Sequence, residues 1–136
     1  MAARVLVDAG PIVTYLHRGD AWHGAAVGFF RGWRGELLTT WPVVTEAAYL
    51  SEAKARIAII QWLQRNLQAV PQDASDASRI ERYYRKYADQ NPDLADLSLL
   101  ALAERTGVRD VLTVDARDFA VYRVSGGRAL NNLLAQ

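Results

Sequence analysis

The residues of this chain whose placement suggests chemistry are carboxylates. Asp8 closes the apolar run of "RVLVDAGP", Asp115 closes "VLTVD", Glu46 follows the apolar "LLTTWPVV", and Asp93 and Asp96 open "PDLADLSLL". In an open parallel sheet the ligand crevice lies beyond the carboxyl ends of the strands. Acids at strand ends, or at the starts of helices that follow strands, are therefore carried to one edge. Each acid also has a local explanation. An aspartate after a strand forms turns, the macrodipole favours Glu46 near a helix N-terminus by about 0.3 to 1 kcal/mol, and Asp93 with Asp96 three residues on resembles a capping box. Acids that share this kind of placement are harder to assign to local geometry one by one. If they converge, like charges about 5 Å apart repel by about 3 kcal/mol per pair at an effective dielectric near 20. Such a cluster must protonate or bind a cation. The chain has no cysteine, and His17 and His23 read as surface residues, so the donors are hard oxygens. Oxygen donors select Mg2+ or Mn2+ over zinc.

The elements that must position these acids follow from the hydrophobic period. Four short apolar segments, Val5 to Val7, Leu37 to Thr39, Leu67 to Val70 and Val111 to Val114, read as strands, with a fifth expected at Val121 to Val124. Gly10 and Pro11 read as chain-breakers after the first. Trp22, Ala25, Ala26, Phe29, Phe30 and Trp33 form one apolar stripe at helical spacing. Pro42 opens a second helix through Leu50, proline being well tolerated in a first turn. A third carries Ile57, Ile59, Ile60, Trp62 and Leu63; a fourth carries Ile80, Tyr83, Tyr84 and Tyr87; a fifth runs from Leu94 through Ala103 to a cap at Gly107. Strands alternating with helices predict an α/β domain over residues 1–136 with a mostly parallel sheet, since parallel neighbours need crossover connections.

Composition narrows the partners. Hydrophobic residues make up 51% and charged residues 23%, the balance of an ordinary globule, and a net charge of +1 lacks the global basic footprint of many nucleic-acid binders. Lys54 and Lys86 are the only lysines, so the positive charge is almost all arginine. Asp8 interrupts the first apolar run, so no signal-peptide pattern is present, and no stretch of about 20 apolar residues could span a bilayer. The expectation is a cytoplasmic protein with no membrane segment.

The same segments carry a family resemblance. "VLVDAGPIVTYLHRGDAWHGAAVGFF", "LLTTWPVVTEAAYLSEA", "DLADLSLLALAERTG" and "VLTVDARDF" resemble, in that order, the opening strand and helix, second strand and helix, and last acidic helix and strand of the PIN domain. Within that family they resemble the VapC-like toxin ribonucleases of bacterial type II toxin–antitoxin pairs. The likeness spans nearly the whole chain and implies a three-layer α/β/α sandwich with a mostly parallel five-stranded sheet. It maps the family's acidic quartet to Asp8, Glu46, Asp96 and Asp115, with Asp93, Thr113 and Asp118 as auxiliary residues. Asp93 is also explained as a cap and Asp118 by an exposed turn; Thr113 shares a strand face with Asp115.

The resemblance implies Mg2+- or Mn2+-dependent cleavage of RNA. Asp8 and Asp96 would be the direct ligands, and Glu46 and Asp115 would hold a second ion or orient the attacking water. RNA contacts are expected from Arg117, beside Asp115, and from Arg79, Arg82 and Arg85, which with Lys86 interleave with the tyrosines of the fourth helix. That mixture suits backbone contacts and stacking on unpaired bases. The third helix carries Ile57, Ile60, Trp62 and Leu63 over more than one face, which suits a homodimer or a cognate antitoxin helix. Two other readings compete. One is a catalytically silent PIN module that binds RNA or a protein partner. The other is a phosphoryl-transfer enzyme with an aspartyl nucleophile at Asp8; that class needs a second acid where this chain has Gly10.

Overall fold

A computed structural model describes residues 3–134. Strand β1 (Arg4–Val7) is followed by helices α1 (Ala9–Tyr15) and α2 (His23–Gly32), then β2 (Glu36–Thr39), α3 (Trp41–Tyr49), α4 (Ala53–Asn66) and β3 (Gln68–Ala69). Helices α5 (Asp76–Lys86) and α6 (Leu94–Thr106) lead to β4 (Asp110–Leu112) and α7 (Ala116–Val121). A hairpin of β5 (Arg123–Val124) and β6 (Arg128–Ala129) precedes β7 (Asn131–Asn132).

The sheet has the order β3-β2-β1-β4-β7, with every neighbouring pair parallel. β1 is central. Its register sets Leu6 opposite Leu38 on one side and Val7 opposite Leu112 on the other. Successive strand residues point to opposite faces, and Val5, Leu6 and Val7 are all fully buried, so helices cover both faces. The chain steps outward from β1 to β3, then returns across β1 to β4. Right-handed crossovers place the helices of the two legs on opposite faces, which gives the α/β/α sandwich. The carboxyl ends of β1 and β4 lie side by side, and the Asp8 amide extends their ladder by donating to the Leu112 carbonyl at 3.0 Å.

Three local expectations are corrected. Gly10 and Pro11 do not break the chain: they occupy the first turn of α1, where amides have no intrahelical acceptor and proline's missing N–H costs nothing. The segment Val121 to Val124 is not a strand of the main sheet. Val121 ends α7, and Arg123–Val124 pairs antiparallel with Arg128–Ala129; the fifth main-sheet strand is the polar Asn131–Asn132, which a hydrophobic criterion passes over. Glu46 sits in the second turn of α3, beyond the first-turn amides that would explain it as a macrodipole partner. Gly107 ends α6 in the left-handed conformation, φ 78°.

Candidate active site

Asp8 takes the N-cap position of α1 with extended backbone, yet its side chain makes no capping hydrogen bond. Instead Oδ2 accepts from the Thr113 hydroxyl at 2.8 Å, and Oδ1 is buried without a partner. Only 6% of Asp8 is exposed. Burial drives its pKa from 3.8 up to about 6, against the smaller opposing pull of the Thr113 bond. Thr113 is fully buried just past β4, and its oxygen also accepts from the Asp115 amide at 2.9 Å. One hydroxyl thus fixes two acids 107 positions apart in sequence. Asn132 of β7 clamps the same residue from behind: its Oδ1 accepts from the Thr113 amide at 3.2 Å and its Nδ2 donates to the Thr113 carbonyl at 3.1 Å.

Gly10 lets α1 pack closely on the segment that follows β4: a Cβ there would overlap the Val114 side chain, so a larger residue requires Val114 to shift.

Asp96 lies buried in the first turn of α6, where its amide donates to the capping Asp93 carboxylate at 2.8 Å. Burial first, and then the charges of Asp8 and Asp93, raise its pKa to about 8. Asp115 caps α7 by accepting from the Asp118 amide at 3.3 Å. Asp96, Asp115 and Asp118 each place a carboxylate oxygen within 4.8 Å of the others. Asp118, expected in an exposed turn, therefore belongs to the tight part of the cluster, and its pKa is raised by burial and by Asp115. Glu46 stands half-buried at the rim beside Asp93. Burial, then Asp93, then the charges of Asp8 and Asp115 raise it to about 7. Cross-linking of the helices supports this edge: the Thr40 hydroxyl, which caps α3, shares a 2.6 Å hydrogen bond with Ser98 of α6.

Six carboxylates from four chain regions thus meet beyond the carboxyl ends of β1 and β4. Among the described residues none of them is in an ion pair. Four arginines are engaged elsewhere: Arg79 and Arg105 with Asp76, Arg82 with Glu104, Arg85 with Glu81. Arg79, Arg82 and Arg85 accordingly face carboxylates of their own layer, whereas Arg117 is exposed beside Asp115. A buried, unpartnered carboxylate oxygen in a cluster of hard donors that makes no ion pair among the described residues fits a divalent metal ion.

Two residues that hold the site escaped sequence reasoning. Asn132 sits on a two-residue polar strand with no periodic signal. Tyr122, fully buried, donates to Asp96 Oδ2 at 3.1 Å. It follows the last residue of α7 with extended backbone, so periodicity carries no signal for it.

Fold and site together define the class. The chain belongs to the PIN domain family, whose signature matches residues 5–125. It is a VapC-like member: Ribonuclease VapC26 of Mycobacterium tuberculosis (strain ATCC 25618 / H37Rv) is 26% identical over 128 residues, covering 90% of this chain and 95% of that protein. Among solved structures, M. tuberculosis VapC20, described as a Sarcin-Ricin loop cleaving toxin, shares the fold with a TM-score of 0.76 at 16% identity, over 83% of this chain and 91% of that one.

Proposed function

We propose that this PIN domain is a Mg2+- or Mn2+-dependent endoribonuclease that hydrolyses phosphodiester bonds in RNA and acts as the toxin of a toxin–antitoxin pair. The observation that carries the metal-dependent chemistry is Asp8, an enclosed carboxylate with one oxygen tied to Thr113, the other orphaned, and no cation beside it. The relatives support the RNA substrate and the toxin role, VapC26 by its name as a ribonuclease and VapC20 as a toxin that cleaves RNA.

In this reading Asp8 and Asp96 hold the principal ion. Asp115 and Glu46, with Asp93 and Asp118 adjacent, hold a second ion or orient water. A divalent ion bound there stabilises charge on the scissile phosphate and makes water a better nucleophile. Thr113 keeps Asp8 in one rotamer and ties its position to that of Asp115. Glu46, with a pKa of about 7 at the open rim, is suited to take a proton from an incoming water near neutral pH. Arg117, exposed beside Asp115, is placed to meet a phosphate of the bound strand.

Two apolar surfaces remain uncovered. On α4, Ile59 and Leu63 are buried while Ile57 is 63% and Ile60 40% exposed. On α3, Trp41 and Tyr49 flank a groove of about 570 Å3 that Glu46, Asp93 and Leu94 also line. A homodimer partner and an antitoxin are the occupants that the VapC likeness supports. No described helix is long and apolar enough to cross a membrane. Action on RNA in the cytoplasm is part of this proposal and follows from the toxin reading.

Purified protein with Mn2+ is expected to cut RNA, and Asp8→Asn protein to leave it intact. Equal cleavage by both would refute the role given to Asp8. No heat of Mn2+ binding to the wild type would favour the catalytically silent module.

A further inference from the structure

Helix α7 has only six residues, and both of its ends reach Asp96. Asp115 caps its start, Asp118 lies in its first turn, and Tyr122 follows its last residue with extended backbone. The first two bring their carboxylates to Asp96, and the third brings a hydroxyl to Asp96 Oδ2 at 3.1 Å. The tyrosine is held from the other side by packing. Its ring meets Phe119 edge-on at 5.2 Å and Tyr87, which caps the end of α5, at 5.1 Å, and Tyr87 Oη accepts from the amide of Arg123, the next residue, at 2.7 Å.

Asp8 and Asp96 therefore have parallel environments. Each is a buried carboxylate with one oxygen bound by a hydroxyl from a chain-distant segment, Thr113 for Asp8 and Tyr122 for Asp96. In each case the other oxygen takes no hydrogen bond from the described residues. A hydroxyl in this place does two things for a ligand: it removes a rotational freedom that ion binding would otherwise have to freeze, and it satisfies the oxygen that points away from the ion. Outer contacts of this kind govern metal affinity in other proteins, typically by about 10- to 100-fold.

We infer that Tyr122 is a positioning residue of the metal site, orienting Asp96 so that its free oxygen is presented to a divalent ion. The inference rests on the metal-dependent reading above. Tyr122→Phe removes the hydroxyl and keeps the ring packing. Tyr83→Phe is the control, because Tyr83 is also a buried tyrosine bound to a carboxylate, Glu104 at 2.6 Å, that is not among the six acids.

Calorimetric titration of Mn2+ into wild type and both variants is expected to show affinity lowered about tenfold in Tyr122→Phe and unchanged in Tyr83→Phe. RNA cleavage by Tyr122→Phe should recover toward the wild-type rate at saturating Mn2+, as weaker ion binding requires. Equal Mn2+ affinity in wild type and Tyr122→Phe overturns the inference, whatever the effect on thermal stability. Equal loss in both variants also overturns it, since that marks a general structural effect. Absence of Mn2+ binding by the wild type instead overturns the metal-dependent reading itself.

Discussion

Replacing Asp8 by asparagine should make the metal-free protein more stable at neutral pH, although it removes a side chain placed at the heart of the site. The folded protein raises the Asp8 pKa from 3.8 to about 6, so the ionised form is disfavoured by folding. A raised carboxyl pKa means that stability present at low pH is lost as pH climbs through the interval from about 4 to 6. Above pH 7 the cost is complete, at about 3 kcal/mol, from about 1.4 kcal/mol per pH unit. At pH 4.5 only about 1 kcal/mol of it remains, because the folded carboxyl is then protonated and the pH stands less than one unit above the unfolded value of 3.8. Asparagine carries no charge and can still accept from Thr113, but its amide would meet the unpartnered Oδ1 position, at a cost of about 1 kcal/mol. The net gain at pH 7.5 is about 2 kcal/mol, or roughly 6 °C in thermal midpoint for a chain of this size. Thermal unfolding followed by circular dichroism in EDTA at pH 7.5 and 4.5 reads the effect directly. A variant no more stable than the wild type at pH 7.5, or an advantage of equal size at both pH values, would refute the electrostatic account of this site.

Other perturbations probe the supports. Thr113→Val, nearly the same shape, should weaken Mn2+ binding about 10- to 100-fold in calorimetry and lower unfolding free energy by about 1 to 3 kcal/mol, because the Asp115 amide loses its acceptor; unchanged Mn2+ affinity would remove Thr113 from the site. Gly10→Ala should destabilise by about 1 to 3 kcal/mol in urea unfolding, since Val114 must move to admit the new methyl group; a neutral result would show that the Val114 side chain shifts without cost. If α4 carries the interface between copies, the double change Ile57→Asp and Ile60→Asp should lower the mass found by sedimentation equilibrium while leaving the thermal midpoint of the monomer close to that of the wild type, as expected for exposed positions.

The parallel sheet and most of its helices were legible because β1, β2 and β4 each contain a short apolar run and because most helices between them carry apolar residues at helical spacing. The acids were legible for the same reason: a carboxylate that ends a buried strand has few places to go. Legibility failed where a polar or helix-breaking residue served geometry. Asn131–Asn132 forms a strand through backbone pairing and through the grip of Asn132 on Thr113, neither of which leaves a hydrophobic pattern. Gly10 and Pro11 look like a loop until their place in the first turn of α1 is known. Tyr122 follows α7, a helix too short for periodicity to reveal, whereas Asp118 was reached through the family likeness. The arginines of α5 could be counted in the sequence, but their engagement with Asp76, Glu81 and Glu104 is set by tertiary placement.

Diffraction from crystals equilibrated with Mn2+, with data recorded at the manganese absorption edge, tests the metal-centred account most directly. An anomalous peak in contact with the free oxygen of Asp8 and with Asp96 is the expected result, with Asp115 or Asp118 completing the protein ligands. Saturating Mn2+ that leaves these carboxylates without a peak, in crystals diffracting well enough to show one, would contradict it.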